Sequence, residues 1–186
     1  MSMSQPGSSP QHSYNRQTPY LPLGAASGAR SGRVCVADAF AELLDLIVRD
    51  YAITDAQKDI DLNAPAEEPS SVIEADKRQI VTVAAQRERE LFPSFRSGLL
   101  LAFEAQGLGR HEIRLDDRDT EQNAIADALI AYLVRFDFAE SRSEETEPGH
   151  YDYFISVNWD PLYRVAHSAG IDLPAALARA ASIPGG

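Results

Sequence analysis

Four carboxylates, Asp116, Asp117, Asp119 and Glu121, fall within six positions and are the densest set of residues that could hold a divalent cation. They lack the glycine and the closing bidentate glutamate of a calcium loop, and acids just ahead of a helix are already favoured by the helix dipole. The four histidines, His12, His111, His150 and His167, form no pair four residues apart and have no cysteine nearby, so structural roles are expected of them. Ser94 and Ser97 stand near Gly98 without forming the G-x-S-x-G elbow, and Cys35 lacks identifiable His and Asn partners. No Walker loop or G-x-G-x-x-G is present, because Gly107-Leu108-Gly109 follows a helical pattern and reads as its C-terminal cap. Glu144 and Glu145 are paired acids, but on a Pro148-Gly149 hairpin tip they are expected to be solvated rather than tuned for proton transfer. No catalytic residue, cofactor-binding residue, cofactor or metal ligand is therefore assigned from the sequence.

The residues better suited to docking are aromatic and acidic. Alternation over 151 to 157 puts Tyr151, Tyr153, Ile155 and Val157 on one strand face and Phe154 on the other, so either both faces are covered or Phe154 is exposed. An exposed Phe154 rimmed by Glu144, Glu145 and Glu147 would be a patch for a protein with a basic surface. A second tethering candidate is the apolar island Pro19-Tyr20-Leu21-Pro22-Leu23. With Arg16 it makes Arg-x-x-Pro-x-x-Pro, a spacing suited to a polyproline II ligand, and Tyr20, Leu21 and Leu23 are its contact candidates.

The elements that must position these residues follow from periodicity. Residues 1–33 hold seven Ser, four Gly and four Pro with few aliphatics, and are expected to form a disordered tail. Residues 34–186 are expected to form a single domain. Asp38 caps a helix with Phe40, Leu43, Leu44, Ile47, Val48 and Tyr51 on one face. The segment 54–71, with Pro65 and Pro69 among acids, reads as a flexible loop. A helix from about Val72 to Phe92 carries Ile73, Ile80, Val83, Ala84 and Leu91 as its apolar positions. Pro93 kinks it or begins a new, centrally buried helix that ends with Gly107 left-handed and Leu108 folded back onto Phe103. A short strand at 111–115 follows, then a helix with an Asp119 and Gln122 capping box reaching about Arg135. A hairpin starting at Phe136 and Phe138 and returning through 151–157 comes next. Two helices close the chain, one entered through Asp160-Pro161 and ended by Gly170, the other capped by Asp172. The fold class is thus α+β, mainly helical, with four to six helices packed on a C-terminal antiparallel β-hairpin or small three-stranded sheet.

Helix, strand, helix, hairpin, helix is also the order of a winged-helix domain. Positions 119–135 offer no break for a helix-turn-helix, and the would-be wing carries four glutamates against Arg142. Charge argues the same way. The 186 residues hold 17 basic and 28 acidic side chains, a net charge of −11, and the three basic residues and no acid of 1–33 leave −14 on the rest. A phosphate backbone is disfavoured as a partner. No apolar run is long enough to span a bilayer, and the lone cysteine fits a reducing, cytoplasmic setting. The leading expectation is a non-catalytic protein-interaction subunit, an adaptor or accessory protein of an intracellular complex, with homo-oligomerisation left open. A winged-helix-like transcriptional regulator is second and an enzyme with an unrecognised site third.

Overall fold

The computed structural model describes residues 38–65 and 69–182. The expectations placed on 1–33, including Tyr20, Leu21 and Leu23, and on Cys35 lie outside the described residues. Helix α1 (Ala39–Ile47) starts at Asp38, whose carboxylate accepts from the Phe40 amide at 3.0 Å. It runs without a break through a π-helical segment (Val48–Ala52) into α2 (Ile53–Asn63). The loop expected over 54–71 is therefore mostly helix. Gln57, Lys58 and Asp61 keep helical geometry, and among the described residues the backbone is extended at Ala64, before Pro65, and again at Pro69, ahead of the next helix.

Helix α3 (Ser70–Gly107) is one 38-residue rod with Pro93 inside it. Of the two outcomes expected at Pro93, a kink or a new helix, no new helix begins there. Pro93 and Arg89 both lie on the exposed side, where the carbonyl deprived of its donor can hydrate. The rod is also less buried than its composition suggests: Phe95, Gly98, Leu99 and Ala102 face the core, whereas Leu101 is 40% exposed. Its C-terminus departs from expectation too. Gly109, not Gly107, takes the left-handed conformation (φ 74°), and the Gly109 and Arg110 amides donate to the Gln106 and Ala105 carbonyls. Leu108 points to solvent, 73% exposed.

Strand β1 (Ile113–Asp116) leads to α4 (Thr120–Leu129), capped as the sequence indicates: Asp119 Oδ1 accepts from the Glu121 and Gln122 amides, and Gln122 Nε2 returns a bond to Asp119 Oδ2. A second π-helical segment (Ile130–Val134) extends α4, and the turn after it places Asp137 left-handed at φ 65°. Phe136 and Phe138 thus precede the hairpin rather than belong to it. Strands β2 (Ala139–Glu147) and β3 (His150–Val157) turn at Gly149 (φ 82°), and β3 is central in an antiparallel sheet of order β1-β3-β2. Helix α5 (Trp159–Ser168) begins one residue before Asp160, so Asp160 lies in its first turn instead of capping it. Gly170 closes α5, and Asp172 caps α6 (Leu173–Ala181).

The fold is α+β and mainly helical. One core joins α1, the C-terminal half of α3, α4, α5, α6 and the inner sheet face through fully buried Leu44, Leu99, Leu129, Ile155, Leu162 and Leu177. The sheet order is that of a winged helix, but a single continuous helix stands between β1 and β2 where a helix-turn-helix needs two.

Candidate functional site

The outer sheet face brings Phe154, Glu144 and Asp116 of the sequence-predicted residues into two rows. Register pairs Arg114 and Arg142 with Phe154 from either side, and pairs Asp116 and Glu144 with Asp152 in the next row. Phe154 is half-buried beneath the Arg142 guanidinium, 3.7 Å from its ring centroid, so the ring is roofed by a cation. The acids around it are engaged by this chain. Glu144 pairs with Arg142, Glu145 accepts from the Gly149 amide at 3.0 Å, and Glu147 meets Arg118 at 3.2 Å. Asp152, only 3% exposed, takes Arg114 on Oδ2 at 2.7 Å, and its Oδ1 has no partner among the described residues.

Three of the four carboxylates considered as metal ligands, Asp116, Asp117 and Asp119, are likewise committed. Arg118 grips Asp116 through side-chain and backbone hydrogen bonds, which hold that carboxyl down at about 2 and push the guanidinium up in turn. Asp117 accepts from the Tyr151 amide at 2.8 Å, and Asp119 is the α4 cap. Among the described residues no group of three or more His, Cys, Asp or Glu is placed to hold a metal ion. Nor is any described helix long and apolar enough to cross a membrane.

A different surface, not singled out by sequence patterns, has the shape of a binding site. α2 and the N-terminal half of α3 form a helical hairpin that reaches beyond the core: α2 has no buried residue, and in α3 the first is Phe95. Between them lies a cleft of about 910 Å³. Ala52, Ala56 and Ile60 line one wall at four-residue spacing, and Ile80, Val83 and Ala84 line the other. Ile130, Val134 and Phe136 close one end, and Arg135 ties that end to Asp55 at 2.6 Å. Both π-helical segments border the cleft. Such segments are rare in soluble proteins and recur at functional sites, because the extra residue in the turn shifts the side chains beyond it.

Polar groups in the cleft are few. Asp76 and Arg87 on α3 and Asp127 on α4 line it, and neither Asp76 nor Arg87 has a hydrogen bond or ion pair among the described residues. Tyr132, its phenol pKa raised by burial, packs edge-on against Phe95 beneath the floor. An aliphatic cleft without a converging set of nucleophile, base or ligands is suited to holding apolar surface, not to bond chemistry.

The signal for this surface was present as Ile80, Val83 and Ala84, the apolar positions of a helix with no assigned neighbour. Reading 54–71 as a loop removed the other wall. No family model, curated protein or solved structure matches the chain.

Proposed function

We propose that the chain is a non-catalytic protein-interaction subunit whose docking surface is the cleft between α2 and α3. The observation that carries this reading is the aliphatic stripe on both walls of a helical hairpin that buries none of its own residues. The α3 wall runs from Asp76 to Arg87, about 16 Å at 1.5 Å per residue or three helical turns, with the aliphatic Ile80, Val83 and Ala84 at its centre. Covering Ile80 and Val83 contributes about 1.5–3 kcal/mol for each side chain fully buried. Setting the subunit in an intracellular complex rests on the lone cysteine.

The outer sheet face is the weaker docking surface, since a basic partner there must first displace Arg142 and Arg118 from Glu144 and Glu147. A nucleic-acid reading has the sheet order in its favour. The glutamates of β2 and the net charge weigh against it.

Photo-crosslinking tests the proposal. A photoreactive side chain replacing Val83, in the cleft, yields a discrete protein adduct in the native host, while one replacing Val81, exposed off the cleft, does not. Equal adducts from both positions, or none from Val83, overturn the assignment.

A further inference from the structure

We infer that the occupant of the cleft is α3 of a second copy of this chain, packed antiparallel across a twofold axis level with Val81 and Thr82. This rests on the docking reading above and names its partner. The six α3 residues lining the cleft are Asp76, Gln79, Ile80, Val83, Ala84 and Arg87. In an antiparallel pair about that axis each faces another of the set. Asp76 meets Arg87 of the other copy, Ile80 meets Val83, Gln79 meets Ala84, and outside them Val72 meets Leu91.

The pairing is chemically self-complementary, as an isologous interface requires. It matches acid to base at both ends and aliphatic to aliphatic in the middle. It supplies partners to two charges that line an apolar cleft and have no hydrogen bond or ion pair among the described residues. The copies also meet on a segment that carries no net charge. Residues 72–91 carry four acids and four bases, a net of zero, within a chain of −11. Ordering adds to the case. A helical hairpin that buries none of its residues is marginal alone, and two such hairpins close into a four-helix bundle with a shared core. In this register the buried part of each α3, which begins at Phe95, falls beyond the Ser70 end of its counterpart.

Sedimentation equilibrium on the purified full chain tests this with Asp76→Arg, Arg87→Asp and their equimolar mixture. Both positions are exposed, so folding is preserved, and circular dichroism checks it. The wild type is expected at twice the chain mass. Each single variant places two like-charge pairs across the axis and raises the dissociation constant about tenfold or more. The mixture restores the dimer. In a heterodimer the two introduced side chains, opposite in charge, face each other, and the remaining Asp76 of one copy faces the remaining Arg87 of the other. A monomeric wild type, or variants and mixture that sediment alike, overturns the inference. The docking reading stands apart from it: an adduct from position 83 to a different polypeptide keeps the cleft as a docking surface and removes the second copy, whereas no adduct overturns both.

Discussion

Gly98 of α3 and Leu129 of α4 touch so closely that a Cβ on Gly98 would lie 2.9 Å from Leu129 Cγ and from both its Cδ atoms. The two helices approach to this distance because position 98 has no side chain. Leu129 is fully buried, and its side chain would have to shift within the core to admit a Cβ.

Gly98→Ala is therefore destabilising despite its better helix propensity. Overpacking costs about 1–3 kcal/mol and the propensity gain returns at most about 1 kcal/mol. Urea denaturation should show a net loss of up to about 2 kcal/mol with an unchanged slope. A gain in stability would mean that α3 and α4 are not this close.

At the end of the second π segment, Asp137 holds φ 65° while the Phe138 amide donates to the Leu133 carbonyl at 2.8 Å. A left-handed conformation strains any residue with a Cβ and is free for glycine. Asp137→Gly should raise stability by about 0.5–1 kcal/mol, after the added freedom of the unfolded chain is deducted. A lower melting temperature would contradict the left-handed assignment.

Two carboxylates predict opposite pH dependences. Asp116 has its pKa lowered to about 2, chiefly by the Arg118 side chain, so its contribution is present above the unfolded value and is lost as pH falls toward 2. Glu88 has its pKa raised, first by burial and then by Asp45, so the folded state binds its proton more tightly and stability falls as pH rises through that value. Glu88→Gln should thus gain on the wild type between acidic and neutral pH, and Asp116→Asn should lose on it over the same span. Urea midpoints from pH 2 to 7 check both signs.

Much of the fold was legible because its signals are local. Asp38, Asp119 with Gln122, Gly149, Gly170 and Asp172 act through atoms within a few residues, and each does what its type and position indicate. The split of β3 into Phe154 on one face and Ile155 on the other was equally readable from alternation. The errors arose where distant packing or hydration decided. Prolines and acids over 54–71 suggested a loop, but among the described residues of that segment only Ala64, Pro65 and Pro69 depart from helix. Pro93 was tolerated because its side of α3 is wet. The π segments leave no mark in a 3.6-residue pattern, and they border the cleft that the apolar positions of α3 only hinted at. The outer sheet face shows the complementary limit. Glu144, Glu147 and Phe154 looked free in sequence, whereas Arg142 and Arg118, brought in by register and by the turn after β1, engage all three.

Amide hydrogen exchange over α2 and residues 72–91, followed in the full chain at high and low protein concentration, is the most direct test that another copy of the chain fills the cleft in solution. Protection there should fall on dilution while α1 and residues 95–102 hold theirs. Exchange over 72–91 that is independent of concentration would contradict the account.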